Sequence, residues 1–349
     1  MTRIAILAEG AFERRHAKKA IGLLRYRRPE IVCVIDSAHA GRDAFSCVGE
    51  GRGVPVVSSL AEARLLGVDQ LAIGIALAGG GDVPAAFYPI LEKALRAGID
   101  VVNGLHTRLG EDPRMIRAAA KGGARIVDCA NPRPDLPVGG HRRHRAGAVV
   151  VLTVGTDAAV GKMTVSLELV GELRARGVSA AFVATGQTGI MIAGSGISVD
   201  AVVADFVSGA AEELVVRAAE SADYVIVEGQ GSLTHPGFSG VTLGLLHGSA
   251  PDELMLVHDF ARRVVKGFDE LPLRPLREYL PIYEDAAAWS RPAGAQRVQI
   301  VAVALNSYGL DEQAARAAAT TAAHETGLPA TDAVPYGAGV IADAVLLTR

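Results

Sequence analysis

Residues 149–177 read VVVLTVGTDAAVGKMTVSLELVGELRARG, and this stretch decides the fold of the second half of the chain. The apolar run Val149–Val154 predicts a buried strand, Gly155–Gly161 a glycine-rich loop, and Lys162–Arg176 a long helix. A strand, a glycine-rich loop and a helix in this order are typical of a P-loop, because the amides of the loop and of the first helical turn point at one phosphate. The lysine at the start of the helix adds a positive charge. The stretch therefore predicts a phosphate-binding loop.

The loop departs from the common pattern GxxxxGK[ST] in two ways. Five residues instead of four separate Gly155 from Gly161, and Met163 replaces the hydroxyl residue that ligates Mg²⁺ in nucleotide-hydrolysing enzymes. A thioether is a poor ligand for a hard cation, and Thr164 lies about 100° further round the helix. Asp157 offers an alternative carboxylate. We therefore expect binding of a pyrophosphate rather than transfer of a terminal phosphate. The predicted cofactor-binding residues of the loop are Gly155, Thr156, Asp157, Ala158, Ala159, Val160, Gly161, Lys162, Met163 and Thr164.

Residues 1–130 alternate predicted strands and helices, which indicates an open, mostly parallel α/β sheet. The predicted strands are Arg3–Ala8, Glu30–Asp36, Val54–Val57, Gln70–Ala76, Asp100–Asn103 and Arg125–Cys129. The predicted helices are His16–Tyr26, Ala61–Leu66, Pro84–Ala97 and Pro113–Lys121. The glycines Gly79–Gly81 predict a turn. The first strand is followed by AEGAFERR and not by GxGxxG, so the dinucleotide-binding fingerprint is absent from its usual place.

Residues 131–147, NPRPDLPVGGHRRHRAG, interrupt this alternation with three prolines and a basic cluster. We predict a solvated linker here and a second α/β domain at residues 148–349. Its predicted strands are Val149–Val154, Ala180–Ala184, Tyr224–Val227, Glu253–His258 and Gln299–Leu305, and its long helices are Lys162–Arg176 and Glu312–Glu325. Both domains are therefore expected to contain mostly parallel sheets.

Composition and charge exclude several classes of protein. The 349 residues are 50% hydrophobic with a net charge of −3, so a disordered chain and a general affinity for nucleic acid are both unexpected. Three cysteines cannot form a disulfide framework, and this favours a cytoplasmic protein. No apolar run reaches about 18 residues, so we expect no membrane span. A small molecule is the expected partner, with no nucleic acid, and we expect a homo-oligomer.

Polar side chains follow the predicted strands of the second domain, where parallel α/β sheets bind their ligands. Glu228 directly ends a strand and is predicted as a proton acceptor, although a helix or loop cap is the alternative. His235 follows in a Gly/Pro-rich loop and is either a second proton acceptor or a surface residue. Asn306 is predicted either to contact an adenine or to cap a turn. Further predicted substrate contacts are Gln187, Thr188 and Asp205, and for Asp205 a cap of the helix that follows is the favoured alternative.

The first domain offers its own candidates for substrate binding. His106 follows a strand end in VVNGLHTRLGED, and the basic segment ERRHAKKAIGLLRYRRPE contributes Lys19 and Arg25. These cations are candidates for binding carboxylates, and a solvated basic helix is the alternative.

Several long motifs resemble the D-glutamate N-acetyltransferase family. They are NGLHTRL (103–109), GTDAAVGKMTVSLEL (155–169), ATGQTGIMIAG (184–194), AVVADFVSGAAEEL (201–214) and VIVEGQGSLTHPGFSGVTLGLLHGSAPDELMLVH (225–258). The resemblance covers nearly the whole chain. It implies a Rossmann-like N-terminal domain, a P-loop NTPase-like C-terminal domain, and transfer of acetyl from acetyl-CoA to the amine of D-glutamate. Two segments depart from the family: Ala158 stands where its members have cysteine, and LVHDFAR (256–262) replaces LCHEPTR.

The resemblance and the residues together give the following hypothesis. The loop binds the diphosphate of acetyl-CoA with Asn306 near the base, Glu228 or His235 accepts the proton of the substrate ammonium, and Arg25 or His106 meets its carboxylates. The amides around Gly229–Gly231 stabilise the oxyanion. Two alternatives remain open. The loop also resembles that of dethiobiotin synthetase, which implies ATP with Mg²⁺ and a ligase, carboxylase or kinase acting on a small acid. A nucleotide-sensing module without catalysis is the third.

Overall fold

The computed structural model describes residues 1–76 and 81–347. It divides into two compact units. Unit 1 is Met1–Pro132 together with Ile190–Ala201, and unit 2 is the remainder, Arg133–Gly189 and the chain from Val202 onward. Of the predicted turn Gly79–Gly81, the first two glycines lie outside the described residues. No helix in the described residues is both long and apolar enough to cross a membrane.

Unit 1 contains a six-stranded parallel sheet in the order β3-β2-β1-β4-β5-β6. The strands are β1 Ile4–Leu7, β2 Ile31–Ile35, β3 Val56–Val57, β4 Gln70–Ile73, β5 Asp100–Asn103 and β6 Ile126–Asp128. The helices are α1 Lys18–Tyr26, α2 Ala44–Val48, α3 Leu60–Leu65, α4 Tyr88–Arg96 and α5 Pro113–Gly122. This strand order is that of Rossmann-type folds, and it reverses between β1 and β4. The predicted parallel α/β architecture is confirmed.

Unit 2 contains a second six-stranded parallel sheet in the order β14-β13-β10-β7-β9-β8. Its strands are β7 Val149–Gly155, β8 Ala180–Val183, β9 Tyr224–Val227, β10 Glu253–Asp259, β13 Gln299–Asn306 and β14 Ala330–Thr331, and an antiparallel hairpin is formed by β11 Val264–Val265 and β12 Phe268–Pro272. The helices wholly within unit 2 are α6 Lys162–Ala175, α8 Ala204–Ala219, α9 Ser239–Ser249, α10 Leu276–Ala288, α11 Glu312–Thr326, α12 Ala333–Tyr336 and α13 Gly339–Leu346. Helix α7, Gln187–Ala193, begins in unit 2 and ends in unit 1.

The position of β7 in this sheet determines where a ligand can bind. β7 is paired with β10 on one side and β9 on the other, and the strand order changes direction at this point. Its fully buried residues, such as Val151, pack with Leu169 and Leu173 of α6 and with Ile341 of α13. A crevice at the carboxyl end of a strand at such a switch point is where open α/β sheets bind ligands.

The basic segment between the domains is mostly exposed to solvent, and hydrogen bonds attach it to α8. Glu212 of α8 is buried, and its carboxylate accepts hydrogen bonds from the amides of Gly140 and Arg142, both 3.0 Å, and pairs with the Arg142 guanidinium at 2.6 Å. Arg145 donates to the carbonyl of Ala219, the last residue of the same helix, and to the carbonyl of Ala222 just beyond it. The segment is a fixed part of unit 2, because α8 supplies a buried anion and free C-terminal carbonyls for its cations.

Gly209 should be essential for this packing. A Cβ atom at Gly209 would lie 1.8 Å from the carbonyl oxygen of Pro137, a backbone atom that cannot rotate away. We expect Gly209→Ala to lower the free energy of unfolding by about 1–3 kcal/mol, measured by urea denaturation. Gly171→Ala is the matched control, because nothing lies within 4 Å of a Cβ there and α6 should gain up to about 1 kcal/mol. Equal effects of the two substitutions would contradict the described packing.

Candidate phosphate-binding site

The loop between β7 and α6 presents unpaired amides. Gly161 is the N-cap residue of α6, and no side chain caps that helix. Ala159 and Gly161 have φ angles of 56° and 118°, which turn the backbone sharply. Within the described part of the chain, the amides of Ala159, Val160 and Gly161 donate to no other group. Successive amides of this kind, at the positive end of a helix dipole, form a concave site for an anion.

Lys162 places its charge inside this loop. The side chain is buried, and its Nζ donates to the carbonyl oxygens of Asp157 at 3.0 Å and Gly231 at 2.7 Å. Gly229 leaves the room for it: a Cβ there would lie 3.1 Å from Lys162 Cδ and 1.7 Å from the carbonyl oxygen of Thr153. The ammonium therefore lies between the loop and the segment that follows β9, where it can meet a phosphate oxygen.

The contacts of Asp157 argue against a role as an Mg²⁺ ligand. Its carboxylate is fully buried and pairs with the Arg262 guanidinium at 2.7 Å. It also accepts hydrogen bonds from the amides of Ala158 at 2.6 Å and Lys266 at 2.8 Å. Both oxygens are thus engaged by protein donors, and the charge of the carboxylate is balanced by arginine. The alternative that Asp157 replaces the missing hydroxyl is disfavoured by these contacts.

Arg262 and Lys266 connect the loop to the β11–β12 hairpin. Lys266 lies in the turn of that hairpin, and Arg262 precedes its first strand and also contacts the carbonyl of Ala158 at 3.3 Å. Asp157 therefore holds the hairpin against the loop. A buried carboxylate with one guanidinium and two amide donors is a well-satisfied group, so this contact fixes the shape of the loop.

Two hydroxyl groups, those of Tyr283 and Thr156, connect the loop to neighbouring elements by hydrogen bonds. The Tyr283 hydroxyl of α10 donates to the carbonyl of Gly155 at 2.6 Å and contacts Ser232 Oγ at 3.2 Å, and burial raises its pKa to about 12. Thr156 Oγ1 lies 2.9 Å from His258 Nδ1 at the end of β10. These contacts tie both neighbouring strand ends to the loop.

Burial of His258 should make the stability of this region dependent on pH. Desolvation lowers the pKa of His258 from 6.5 to about 4, so the fold favours the neutral ring. The resulting stabilisation is present above pH 6.5 and is lost as the pH falls towards 4, with an upper value of roughly 3 kcal/mol. We expect His258→Asn to flatten the pH dependence of the unfolding free energy over this range. The exposed His324→Asn is the control and should leave it unchanged.

Glu228 lies at the end of β9 and is almost completely buried. Its Oε2 accepts hydrogen bonds from the amides of Thr185 at 3.1 Å and Gly186 at 3.2 Å, just before α7 begins. Gln187 and Thr188 form the first turn of that helix and are half-buried. Glu228 therefore lies at the end of its strand, as predicted. It also makes the capping contact that was the alternative to a role as proton acceptor.

His235 is enclosed by backbone groups and aromatic rings. Its Nδ1 accepts from the amide of Gly237 at 3.0 Å, so Nε2 carries the proton and donates to the carbonyl of Lys266 at 3.1 Å. The ring stacks on Phe238 with centroids 4.4 Å apart and meets Phe268 edge-on. His235 thus connects the segment after β9 to the hairpin, and a role in proton transfer stays a prediction.

Two other predicted residues of unit 2 are Asn306 and Asp205, which lie in different surroundings. Asn306 ends β13, and its Cβ is 3.9 Å from the position of a Cβ on Gly161, so it borders the loop directly. Its Oδ1 accepts from the amide of Tyr308 at 3.2 Å, which is the turn cap that was the alternative to adenine contact. Asp205 is exposed in the first turn of α8. The interpretation of Asp205 as the helix cap is wrong, because the N-cap residue is Val203 and makes no side-chain cap. The negative charge of Asp205 instead interacts favourably with the positive, N-terminal end of the helix dipole.

The two predicted substrate cations of the first domain lie in unit 1. Arg25 is half-buried at the last turn of α1 and pairs with Glu50 at 2.5 Å. His106 follows β5, and its Nε2 lies 3.9 Å from Asp200 Oδ2. The structure therefore places Asn306 beside the loop and Glu228 at the end of β9, the strand next to β7, and it places these two cations in unit 1.

Comparisons with known proteins agree with this architecture. Residues 137–342 match the family model described as Domain of unknown function (DUF1611_C) P-loop domain, and residues 37–132 match Domain of unknown function (DUF1611_N) Rossmann-like domain. The chain is 34% identical over 329 residues to a D-glutamate N-acetyltransferase of Tritonibacter scottomollicae, covering 94% of each chain. It is 34% identical over 279 residues to a D-glutamate N-acetyltransferase of a Pseudoalteromonas species, covering 80% of this chain and 82% of the relative.

A solved structure gives the same result for the fold. The crystal structure of a DUF1611 family protein from Anabaena variabilis superimposes with a TM-score of 0.91 at 40% identity, and the match covers 99% of this chain and 100% of that one. The predicted combination of a Rossmann-like and a P-loop domain is confirmed. The chain belongs to the DUF1611 family.

Proposed function

We propose that the protein is an N-acetyltransferase that moves the acetyl group of acetyl-CoA to the amine of D-glutamate or a related D-amino acid. Two relatives at 34% identity carry the name D-glutamate N-acetyltransferase, which supports the class of reaction. The residues of unit 2 support the choice of acetyl-CoA as the acetyl donor, because its diphosphate matches the chemistry of the loop.

The observation that carries the proposal is a strong anion site without the usual hydroxyl ligand for a metal. The unpaired amides of Ala159–Gly161 and the ammonium of Lys162 converge on the loop. Met163 follows the lysine, and the Asp157 carboxylate is already bonded to arginine and two amides. A diphosphate ester that only needs to be held suits such a site better than a terminal phosphate that must be transferred, because that transfer depends on a positioned metal ion.

The residues around Asn306, at the edge of the loop, support binding of the adenine of acetyl-CoA. Asn306 borders the loop, and its backbone carbonyl accepts a hydrogen bond from the amide of Phe260 at 3.1 Å. Arg263 places its guanidinium 5.4 Å from the centre of the Phe260 ring. An amide, an aromatic ring and a guanidinium next to a phosphate site are groups that bind a purine by hydrogen bonding and stacking. We assign the adenine of acetyl-CoA to this corner.

The proposed reaction needs one proton acceptor and one oxyanion site. The neutral amine attacks the thioester carbonyl carbon, the carbon–sulfur bond breaks, and the leaving thiolate of coenzyme A takes up the second proton that the nitrogen loses as the amide forms. The proton lost by the ammonium passes to Glu228, the carboxylate at the end of β9, either directly or through water. The amide of Gly229 already donates to Thr153 Oγ1 at 2.9 Å, so the amides of Gln230 and Gly231, beside Lys162, are assigned to the oxyanion.

The experiment that tests the proposal measures binding and turnover together. Isothermal titration should show acetyl-CoA and CoA binding without Mg²⁺, and mixing with D-glutamate should release the free thiol. Mg²⁺-dependent binding of ATP without CoA binding, with release of ADP or phosphate in the presence of a small acid, would instead establish the ATP-dependent enzyme that the five-residue loop spacing suggests. Nucleotide binding with no turnover on any amino acid tested would favour a sensing module.

A further inference from the structure

In the described part of unit 1, Lys19 is a buried lysine with no hydrogen-bond or ion-pair partner. Lys19 is the second residue of α1, and only 5% of its surface is exposed. Within the described residues it forms no hydrogen bond and no ion pair. Its nitrogen is not among the fully enclosed polar atoms, so it keeps a small contact with solvent. Burial of a cation without a partner is strongly unfavourable. We therefore expect a hydrogen-bond acceptor from outside the chain to bind Lys19.

A glycine leaves the space through which the Lys19 side chain passes. Gly104 directly follows β5, and a Cβ atom there would lie 2.9 Å from Lys19 Cε and 2.7 Å from Met191 Sδ. The backbone at this point is fixed by Asn103, which is fully buried and donates to Asp128 Oδ1 at 2.8 Å and to the carbonyl of Thr107 at 2.6 Å. The position of Lys19 is therefore built into the end of the strand and is not a chance rotamer at the surface.

This position coincides with the ligand-binding edge of the sheet. The amide of Ala20, next to Lys19, donates to the carbonyl of Gly74 directly after β4, and Gly104 directly follows β5. The strand order of the sheet reverses between β1 and β4. Lys19 thus lies at the carboxyl ends of the strands beside the switch point, where open α/β sheets bind small molecules.

The charges around Lys19 define the ligand that would fit. Lys18, Asp200 and Cys129 act on its ammonium, and burial is the main cause that lowers its pKa to about 8. Burial also raises the pKa of Cys129 to about 12, so that thiol is neutral. Asp200 is 42% exposed, accepts a hydrogen bond from Ser198 Oγ at 2.5 Å, and lies 3.9 Å from His106. A buried cation, the imidazole of His106 and one exposed carboxylate surround this edge.

We propose that Lys19 is the carboxylate anchor of a small-molecule site in unit 1, and that its ligand is an acidic amino acid, an assignment that rests on the proposed function. One carboxylate of the ligand binds Lys19, the other approaches His106, and the ammonium approaches Asp200. An acidic amino acid carries two anions and one cation, which complements these three groups. The carboxylate is the part of the ligand that Lys19 requires.

Protection from chemical modification tests the site without any acetyl transfer. The chain has six lysines, and reductive methylation with formaldehyde reads each of them by peptide mass spectrometry. Because about a quarter of a group with a pKa near 8 is neutral at pH 7.5, free Lys19 should react. D-glutamate at ten times its dissociation constant should slow methylation of Lys19 about 10-fold and leave the exposed Lys93 and Lys121 unchanged. D-glutamate diamide, which lacks carboxylates, is the matched ligand and should give no protection.

A substitution gives the second measurement. Lys19→Met should raise KM for D-glutamate about 10- to 100-fold while acetyl-CoA affinity stays at the wild-type value. Lys93→Met is the control and should change neither. The variant is expected to fold, because it removes a buried charge without a partner, and its thermal melting checks this.

The outcomes separate this inference from the proposed function. If the wild type acetylates D-glutamate but Lys19 shows no protection and Lys19→Met has a normal KM, the carboxylate anchor is overturned while the function stands. If no acetylation or acetyl-CoA binding occurs but D-glutamate still protects Lys19, the site stands and the proposed function fails. A Lys19 that never reacts in the free protein contradicts an open site.

Discussion

Replacing Lys162 with methionine is expected to weaken acetyl-CoA binding about 30- to 1,000-fold, because it removes a buried, hydrogen-bonded cation from the diphosphate. The methionine keeps most of the length of the side chain, so the loop should retain its shape. Lys162 donates to two backbone carbonyls, one in the loop and one in the segment after β9, and the variant removes this donor from both. Isothermal titration with acetyl-CoA measures the effect directly.

Two comparisons make this prediction specific. S-acetylpantetheine carries no phosphate, so its affinity should be the same for the wild type and for Lys162→Met. Lys121→Met changes an exposed lysine of unit 1 and should leave acetyl-CoA affinity intact. Unchanged acetyl-CoA affinity in a folded Lys162→Met variant would place the diphosphate elsewhere.

Glu228→Gln is expected to lower kcat about 10²- to 10⁴-fold and to change acetyl-CoA affinity only slightly. The substitution keeps the size of the side chain but removes the basic carboxylate at the end of β9. One amide oxygen can still accept from the amides of Thr185 and Gly186, which Glu228 Oε2 now bonds. Steady-state thiol release with D-glutamate measures the rate.

Glu212→Gln is the matched control for the loss of a buried carboxylate. Glu212 has the same 4% exposure as Glu228 and also accepts from two backbone amides, but it serves the basic segment beside α8. It should lower stability and leave kcat near the wild-type value. If both substitutions lower stability and neither lowers kcat, Glu228 is only a cap for α7.

The strands were predictable because parallel strands buried on both faces are continuous apolar runs. Tyr224–Val227 and Asp100–Asn103 are observed with the predicted bounds, and β7 extends by one residue. The short β14 and the β11–β12 hairpin were not predicted. β14 has only two residues, and the hairpin contains exposed charged residues instead of an apolar run.

The extents of three helices of unit 2 were not predicted, because packing overrides local sequence preferences there. α9 contains Gly240, Gly244 and Gly248, which argue against a helix by propensity. The spacing of four places these glycines on one side, and Gly248 approaches the carbonyl of Ser208 so closely that a Cβ would lie 2.1 Å from it. α8 is buried on several sides and therefore lacks amphipathic periodicity, and α10 contains Pro281. Tertiary contacts, which the sequence does not display, stabilise all three.

The candidate site was predictable where the chain is continuous. The loop and Lys162 lie in one strand–loop–helix segment, and Glu228 directly ends a strand, so their positions follow from local sequence. Arg262 and Tyr283 reach the loop from segments more than 100 residues away. Arg262 was noticed only as part of the segment LVHDFAR, which differs from the family's LCHEPTR. Tyr283 was not predicted, because a tyrosine in an amphipathic helix is usually an ordinary core residue.

The crystal structure of the protein with bound coenzyme A is the most direct test of the central claim. We predict density for the diphosphate against the amides of Ala159–Gly161, with Lys162 Nζ within hydrogen-bonding distance of a phosphate oxygen. A diphosphate bound away from β7 and α6, with the loop unchanged and filled only by water, would contradict it.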